Sequence, residues 1–273
     1  MEMYDVVERL SRGTFGTIYL CERKHNKRKL VIKLIHTDLT GDDLKNAKNE
    51  VAILKSLNHP NVIEYHDSYV KGDTFYIMME YAEHGNLQEF IAKRRLEYLS
   101  PQAVMNFFCQ ILMGLDHIHE KGIIHRDLKC ENIFLTGINQ DVIKIGDFGI
   151  AKLLCNNHMA KTIIGTYNYV APELCDGKPY DSKSDIWALG CILYELCQME
   201  KLFEGTISNV VLSIANGKLK TINIKRYGKQ MQILLNLLLQ TDPKERPDTK
   251  TLMTLGDIFP TLHCLSVNLG CIF

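Results

Sequence analysis

Long apolar runs are missing from this chain of 273 residues, and no stretch of it reaches the roughly 18 consecutive apolar residues that would span a membrane. The opening residues, Met1 to Asp5, also lack the basic start and the apolar core of a secretory signal. We therefore expect a soluble, unsecreted, cytoplasmic protein that has no membrane partner.

An excess of charge of one sign is missing as well, because 32 Lys and Arg residues balance 32 Asp and Glu residues. This balance argues against nucleic acid as a partner, since proteins usually bind nucleic acid through an excess of basic charge. The nine cysteines include no C-x-x-C pair, which is typical of reduced thiols rather than of a disulfide framework. Repeats and low-complexity linkers are absent too, so the chain should form one or two globular domains.

The first eighty residues do contain a set of short strand-like segments. Two pairs of these segments flank polar turns, as the strands of hairpins do. Residues 17–23 and 29–35 flank the turn at 24–27, and residues 63–70 and 74–80 flank the turn at 71–73. Between the two hairpins, apolar residues repeat at helical spacing over residues 43–55. This pattern predicts an antiparallel sheet that is crossed by one helix.

Beyond this sheet the pattern becomes helical. Ser100, followed by proline, is a typical helix start ahead of a long apolar stripe. A second segment, from about Ser184 to Met199, is apolar on nearly every side, which predicts a buried central helix. We expect an α+β chain with a small lobe over residues 1–80, a large helical lobe over 81–258 and an apolar tail over 259–273.

Two motifs of the large lobe carry the strongest functional signal. The segment H-R-D-L-K-C-E-N begins at His125, and D-F-G begins at Asp147. In this order they are typical of phosphoryl transfer, in which one Asp orients the substrate hydroxyl while an Asn and a second Asp hold Mg²⁺. We expect Asp127 and Lys129 to be catalytic. Asn132 and Asp147 are the expected metal ligands.

Together with further segments, these motifs resemble the eukaryotic protein kinases over residues 4–255. Four segments are most similar to the NimA-related serine/threonine kinases: N-H-P-N-V-I from Asn58, K-I-G-D-F-G from Lys144, G-K-P-Y from Gly177 and K-S-D-I-W-A-L-G-C from Lys183. The resemblance is greatest to the ciliary branch, whose propeller-like repeats have no counterpart in this sequence. It implies a bilobal kinase fold, ATP and Mg²⁺ as cofactors, and protein substrates with Ser or Thr acceptors.

The resemblance assigns nucleotide binding to a strand, turn and strand that contain two glycines. The residues are Leu10, Ser11, Arg12, Gly13, Thr14, Phe15, Gly16, Thr17 and Ile18. Backbone N–H groups of such a turn can bind phosphate oxygens, although a glycine pair by itself is equally typical of an ordinary hairpin turn. Ser11 replaces the first glycine of G-x-G-x-x-G, so we expect altered contacts with the nucleotide rather than loss of binding.

Lys33 is expected to bind the α- and β-phosphates, with Glu50 on the crossing helix as its partner. A strand lysine can also be a solvated edge residue, but Lys33 lies among apolar neighbours, where an unpaired ammonium would be costly. The remaining residues expected to bind the nucleotide are Val31, Met79, Glu80, Ala82 and Phe134. Glu80 and Ala82 belong to the hinge that bonds adenine through its backbone, and Met79 is the gatekeeper.

Regulation is expected in the segment that follows D-F-G. Arg126, in the H-R-D motif, is a cation that a phosphate on Thr162 could neutralise, whether an upstream kinase or autophosphorylation places it there. The alternative is that Thr162 is a surface threonine without a role. Thr166 occupies the place typical of serine/threonine kinases, whereas Tyr167 replaces the usual proline. Ile150, directly after D-F-G, favours threonine over serine as the acceptor.

The resemblance also implies that Glu173 and Arg246 form a buried ion pair and that Asp185 anchors the backbone of the catalytic loop. A pseudokinase that binds ATP and acts by docking is the alternative, favoured only by Ser11 and Tyr167. A different nucleotide-binding fold is opposed by the lack of G-x-x-x-x-G-K-[ST]. A mitotic, centrosomal or ciliary role is implied by the resemblance alone.

Overall fold

The computed structural model of the protein describes residues 4–13, 16–36, 45, 48, 51, 54–94, 97–148, 167–215 and 219–270. Its first part is an antiparallel sheet of five strands in the order β1-β2-β3-β5-β4. The strands are β1 (Tyr4–Gly13), β2 (Gly16–Arg23), β3 (Lys29–His36), β4 (Tyr65–Lys71) and β5 (Thr74–Glu80).

Both predicted hairpins are confirmed. Their turns are tight because one residue in each adopts the left-handed conformation, Lys27 at φ 57° and Gly72 at φ 57°. The strand predicted from Ile63 begins two residues later, at Tyr65. The reason is that the N–H of Ile63 bonds to the carbonyl of Ile145 (2.8 Å) in the large lobe instead of to the sheet.

Five described residues lie in the segment 43–55 that was predicted to cross the sheet as a helix. Lys45, Lys48, Val51 and Leu54 are helical, as predicted, and Lys55 belongs to a turn. Lys45 and Lys48 are exposed, whereas Val51 and Leu54 are buried in the same core as Phe75 of the sheet. The buried apolar residues of this segment therefore face the core, as those of an amphipathic helix do.

The larger lobe is mostly helical and carries one short hairpin. Its helices are α1 (Leu87–Arg94), α2 (Pro101–Glu120), α3 (Pro172–Cys175), α4 (Ser182–Gln198), α5 (Ile207–Ala215), α6 (Ile224–Leu238), α7 (Thr249–Met253) and α8 (Phe259–Leu269). The hairpin consists of β6 (Ile133–Thr136) and β7 (Val142–Ile145), which are antiparallel. This combination of an antiparallel sheet and a helical lobe is the predicted α+β, bilobal kinase fold.

Two helices form the centre of the large lobe, and both begin at a side-chain cap. Ser100 accepts the N–H of Ala103 (3.2 Å) at the start of α2, as predicted. Helix α4 begins at Ser182, slightly before the predicted start, because Asp181 caps it by accepting two backbone N–H groups. Nearly all of α4 is buried, which confirms the predicted central helix.

The apolar tail forms α8, which packs on α2. Leu262 and Ser266 are buried at this contact, while Phe259 and Val267 on the same helix are exposed. In the described part of the chain, no helix combines the length and the apolar character needed to cross a membrane.

Candidate active site

A cavity of about 430 Å³ lies between the sheet and the large lobe. Eleven predicted site residues line it: Leu10, Ser11, Ile18, Val31, Lys33, Met79, Glu80, Ala82, Asn132, Phe134 and Asp147. The other lining residues are Ile63, Tyr81, Gly85, Asn86, Glu89 and Glu131. The lining therefore combines apolar side chains with acidic and amide groups of the large lobe.

Some predicted residues lie elsewhere or cannot be placed. Arg12, Gly13, Gly16 and Thr17 belong to β1 and β2 but are not among the residues that line the cavity. Thr14, Phe15, Glu50, Thr162 and Thr166 lie outside the described residues. The expected partnership of Lys33 with Glu50 and the expected phosphate site therefore remain sequence predictions.

Gly16 has a structural reason to be glycine. Its φ is 139°, and a Cβ atom at this position would lie 2.0 Å from the carbonyl oxygen of Leu34. Only glycine can bring the backbone of β2 this close to β3 without a steric clash.

The ammonium of Lys33 contacts the carboxylate of Asp147. Lys33 is only 6% exposed, and the half-buried carboxylate of Asp147 supplies the partner that a buried ammonium requires. The contact connects β3 of the small lobe directly to the D-F-G motif of the large lobe. It was not predicted, because the sequence pattern indicated Glu50 as the partner.

Asp127 lies at the centre of a compact polar group. The ammonium of Lys129 is 2.9 Å from its Oδ2 atom. The side-chain amide of Asn132 donates both to this oxygen (3.0 Å) and to the backbone carbonyl of Asp127 (2.7 Å). Because Asn132 uses its nitrogen in these bonds, its amide oxygen remains available to a cation.

Asp185 fixes the backbone of the catalytic loop, as predicted. This fully buried carboxylate accepts the N–H groups of His125 (2.9 Å) and Arg126 (3.2 Å). It also bonds to the side chains of His119 (2.8 Å) and Tyr180 (3.0 Å). Four contacts from three segments make Asp185 the anchor of the loop that carries Asp127.

Two residues of these motifs hold strained backbone conformations. Arg126 has φ 66° and Asp147 has φ 51°, both in the left-handed region that residues with a side chain rarely adopt. Such strain persists only where surrounding contacts enforce it, and it is concentrated at functional sites. Here the bonds from Asp185 to the loop and from Lys33 to Asp147 provide that enforcement.

His125 links the two motifs through both ring nitrogens. Its Nδ1 atom accepts the N–H of Asp127 (3.3 Å), and its Nε2 atom bonds to the carbonyl of Gly146 (3.1 Å). Burial lowers the pKa of His125, although Asp185 and Asp127 oppose this effect, so the ring is neutral. A neutral ring with a proton on Nε2 satisfies both hydrogen bonds.

Two aromatic contacts continue from this histidine toward the small lobe. The rings of His125 and Phe148 are tilted and 4.8 Å apart, and those of Phe148 and Tyr65 meet edge to face at 5.8 Å. Tyr65 is the first residue of β4, so these contacts connect the sheet to both motifs. No signal in the sequence distinguishes Tyr65 from the other aromatic residues of the sheet.

A second connection between the lobes lies at residues 61–63. The backbone of Ile63 donates to Ile145, and Ile145 donates to the carbonyl of Asn61, each at 2.8 Å. The buried amide of Asn61 donates to Gln110 of α2 (3.0 Å) and to the carbonyl of Ile143 (2.8 Å). The loop before β4 is thus bonded to β7, two residues before the D-F-G motif.

The hinge side of the cavity includes residues that sequence reasoning left out. Asn86 caps α1 by accepting the N–H of Glu89 (2.9 Å), and its amide donates to the Glu89 carboxylate (3.2 Å). The N-x-x-E spacing directly after the hinge is a recognisable helix-start signal that could have indicated both residues. Glu80 of the hinge pairs with Lys144 of β7 (3.0 Å).

The predicted ion pair that supports the large lobe is confirmed. Arg246 donates two parallel hydrogen bonds of 2.8 Å to the carboxylate of Glu173, and both side chains are buried. Ser184 of α4 also donates to Glu173 (2.7 Å). Burial acts to raise the pKa of Glu173, but the hydrogen bonds from Arg246 and Ser184 outweigh it and lower this pKa.

Residues 4–255 match the family model of the protein kinase domain. The chain is 42% identical over 272 residues to the serine/threonine-protein kinase Nek8 of Danio rerio, covering 99% of this chain and 39% of that protein. It is 38% identical over 281 residues to nekl-2 of Caenorhabditis elegans, covering 99% and 78%. It is 38% identical over 256 residues to human Nek5, covering 93% and 36%. The chain thus spans well under half of two of these relatives and about four fifths of the third.

Proposed function

Because the chain belongs to the protein kinase family, and within it to the NimA-related serine/threonine kinases, we propose that it transfers the γ-phosphoryl group of Mg·ATP to Ser and Thr hydroxyls of proteins. The observation that carries this proposal is that Asn132 lines the cavity together with the Lys33–Asp147 pair and also bonds to Asp127. The Asp127 carboxylate in turn pairs with Lys129.

The cavity suits a nucleoside triphosphate. Apolar side chains of Leu10, Val31 and Phe134 can enclose a planar base, and the hinge from Glu80 to Ala82 can bond its edge through backbone groups. Lys33 at the far end has the charge to bind phosphate oxygens. Its present contact with Asp147 must then open, and Glu50 is the acid that we propose as its alternative partner.

The acidic end of the cavity suits Mg²⁺. Asp147 offers carboxylate oxygens and Asn132 an amide oxygen, and hard oxygen ligands of this kind are those that Mg²⁺ prefers. Bound Mg²⁺ would neutralise charge on the phosphate groups. The donor set present in this chain therefore fits the cation that the family uses.

The catalytic loop then performs the transfer. The Asp127 carboxylate accepts or orients the proton of the substrate hydroxyl, so that the oxygen can attack the γ-phosphorus. Lys129 balances the negative charge of the phosphoryl oxygens. Asn132 and Lys129 hold the Asp127 carboxylate in place before the substrate arrives, and this preorganisation lowers the cost of reaching the transition state.

Activation by phosphorylation is part of the proposal. Arg126 is exposed beside Asp127, and a phosphate on Thr162 would give its guanidinium a doubly hydrogen-bonded anion. Either an upstream kinase or the chain itself could add this phosphate. We propose Thr166 as a further regulatory residue of this segment.

We propose cytoplasmic action with a centrosomal or ciliary role. Protein substrates, rather than nucleic acid or membranes, are the proposed partners.

The proposed organisation keeps the boundaries drawn from the sequence. Residues 1–80 form the small lobe, 81–258 the large lobe and 259–273 a tail, of which the described part is helical.

The pseudokinase alternative is favoured by the direct Lys33–Asp147 contact, which occupies a carboxylate oxygen that a metal would need.

Transfer of radiolabelled phosphate from Mg·ATP to casein tests the proposal, with the wild type and Asp127→Asn compared at equal concentration. We expect transfer by the wild type and a loss of roughly a hundredfold or more in the variant. If neither protein transfers phosphate after Thr162 has been phosphorylated, yet ATP raises the melting temperature of both, the kinase proposal is wrong and the pseudokinase alternative stands.

A further inference from the structure

The surface around the end of helix α1 and the start of helix α6 is basic, although the charges of the whole chain balance. Its cations are Lys93, Arg94, Lys225, Arg226 and Lys229. The side chain of Arg94 is half-buried, and the other four are exposed. Within the described residues 91–94, 97–100 and 224–229, Glu97 is the one acid. Positive charge is therefore concentrated at a place that the proposed mechanism does not use.

Three contacts hold α1, the loop that follows it and α6 together. The carbonyl of Arg94 accepts an N–H from three residues later (2.8 Å), so the chain turns directly after α1. The hydroxyl of Tyr227 donates to the carbonyl of Leu99 (3.1 Å). The guanidinium of Arg226 lies over the ring of Tyr98, 4.8 Å from its centre. The cations of α1 and those of α6 thus border the same short loop.

Both arginines of this surface lie over an aromatic ring. Besides Arg226 over Tyr98, the guanidinium of Arg94 is 4.6 Å from the centre of the Phe90 ring. Phe90 itself packs edge to face on Phe107 of α2 at 5.6 Å, so its position is fixed by the core. A ring holds a guanidinium by its face and leaves the N–H edge open to a planar anion. Each arginine is therefore preorganised for an anionic ligand.

These five cations have no ionic partner among the described residues. The arginines that pair with a carboxylate there are Arg28 and Arg246. The described ion pairs of lysines involve other positions than Lys93, Lys225 and Lys229. The charge of this surface is therefore available to a second molecule.

Three of the cations lie where a helix disfavours positive charge. Lys225 and Arg226 belong to the first turn of α6, which contains no acid. Gly228 interrupts the helix with φ 82°, so Lys229 opens its longer part. The helix dipole stabilises acids at a helix start and destabilises cations there. The arrangement lowers the stability of the free chain, and a bound anion would remove this disadvantage.

The chemistry of the surface favours carboxylates of a polypeptide. The edge of a guanidinium binds a carboxylate through two parallel N–H···O bonds. Single-stranded nucleic acid binds by stacking its bases on free aromatic faces, but the guanidiniums of Arg94 and Arg226 already cover Phe90 and Tyr98. A segment rich in Asp and Glu can present one carboxylate to each of several separate cations.

Helix α1 connects this surface to the catalytic cavity. Asn86, which caps the helix, and Glu89, in its first turn, both line the cavity, whereas Arg94 is the last residue of the helix. Eight residues of α-helix span about 12 Å. A segment that binds at the far end of α1 would keep the rest of its own chain near the cavity and raise the local concentration of an acceptor residue.

We propose that Lys93, Arg94, Tyr98, Lys225, Arg226 and Lys229 form a basic surface that docks an Asp- and Glu-rich segment of protein substrates. The role in substrate capture rests on the proposed kinase function. Binding of the acidic segment is measured without turnover, so the two proposals are tested separately.

The test variant is Lys225→Glu/Lys229→Glu. Both side chains are exposed and an acid at a helix start is favourable, so we expect this variant to fold. The matched control is Lys71→Glu/Lys121→Glu, which changes the net charge equally at two exposed lysines outside the basic surface. A difference between the two variants therefore reports the position of the charge and not its amount.

The first measurement is the Kd of the full chain for a fluorescent peptide of twelve glutamates, read by fluorescence anisotropy. We expect Kd to rise about fivefold or more in the test variant and less than about twofold in the control, and wild-type binding to weaken with added salt. Equal Kd values in the three proteins overturn the proposal. It is also overturned if the test variant binds the peptide normally but loses binding to phosphatidylserine vesicles or to single-stranded RNA, because the surface is then a membrane or RNA site.

The second measurement compares two peptide substrates with the same acceptor sequence, one of which carries the glutamate segment behind a flexible Gly/Ser linker. We expect the KM of the wild type and of the control to be about fivefold lower for the extended peptide at unchanged kcat, because docking adds binding away from the reacting groups. The test variant should lose this difference and phosphorylate the short peptide as the wild type does.

A KM difference that persists in the test variant overturns the docking role. If the glutamate peptide binds as expected but the wild type phosphorylates neither substrate, the kinase proposal fails and the basic surface stands as a binding site for acidic segments.

Discussion

The ammonium of Lys33 and the carboxylate of Asp147 are in direct contact although 114 positions separate them in the sequence. One belongs to the central strand of the small lobe, and the other opens the D-F-G motif of the large lobe. The contact therefore closes the inner end of the cavity. When a nucleotide binds, this contact must open, so that Lys33 can bind phosphate and Asp147 can bind Mg²⁺.

Replacing Lys33 by Met should remove phosphoryl transfer while preserving the fold. The variant keeps the aliphatic stem but loses the cation for the phosphates, so we expect a fall in kcat/KM of roughly a hundredfold or more. Lys29→Met is the control, because Lys29 lies on the same strand and is exposed. The measurement is kcat/KM of both variants with a peptide substrate. Equal values would contradict the role of Lys33.

Replacing Arg246 by Ala should destabilise the chain by about 3 to 5 kcal/mol, because it leaves the Glu173 carboxylate buried without its partner. Lys178→Ala breaks an exposed pair with Asp176 at 3.5 Å and should cost only a few tenths of a kcal/mol. Urea denaturation of the two variants gives the comparison. A small effect in Arg246→Ala would mean that water replaces the guanidinium.

Replacing Glu195 by Gln should change how stability depends on pH. Its pKa rises from 4.5 to about 7 in the folded state, so the folded chain binds a proton that the unfolded chain has released between these values. Wild-type stability therefore falls as the pH rises through this window, by about 3 kcal/mol in total. The Glu195→Gln variant does not lose stability in this way. Its free energy of unfolding should therefore rise relative to that of the wild type from about pH 5 to about pH 8.

Denaturant titrations at several pH values measure that gain. Glu200→Gln serves as the control, because Glu200 is half exposed and bonds to Tyr194 near the surface. If the free energy of unfolding of both variants changes with pH as that of the wild type does, Glu195 is not the group with the raised pKa.

Replacing Gly16 by Ala should damage both the sheet and nucleotide binding. The added methyl group would lie 2.0 Å from the carbonyl oxygen of Leu34, so β2 must move away from β3. Gly72→Ala is a useful comparison, since it also has positive φ but meets nothing within 4 Å and should cost about 1 to 2 kcal/mol. Melting temperatures with and without ATP distinguish a general loss of stability from a specific loss of binding.

Replacing Thr162 by Ala should leave little activity if a phosphate at this position orders the segment through Arg126. We expect Arg126→Ala to reduce activity to a similar level and the double variant to be no worse, because the two residues would act together. Phosphopeptide mapping should find phosphate on Thr162 in active wild-type protein. Full activity in Thr162→Ala would exclude this mode of activation.

Local patterns account for most of what the sequence predicted correctly. The two hairpins follow from turn residues, the cap at Ser100 from its neighbours, and the H-R-D and D-F-G motifs from fixed spacing. The contact of Asp185 with the loop that carries Asp127, 58 positions earlier, was also predicted correctly, because the resemblance assigned this loop as its partner.

Relationships that depend on packing between distant segments were missed. Nothing in the sequence brings Tyr65 against Phe148, or Lys33 against Asp147, since the residues of each pair belong to different lobes. The start of β4 was predicted too early for the same reason, because Ile63 bonds to the other lobe. Periodicity reports which face of an element is apolar, but not which element covers it.

The backbone bonds that join residues 61–63 to Ile145 also set the mechanics of the site. Two backbone hydrogen bonds and the buried amide of Asn61 bind the two lobes together at this joint. Asp147 follows the joint by only two residues, so a change in the angle between the lobes would displace Asp147 less than it would displace parts of the sheet that lie farther away.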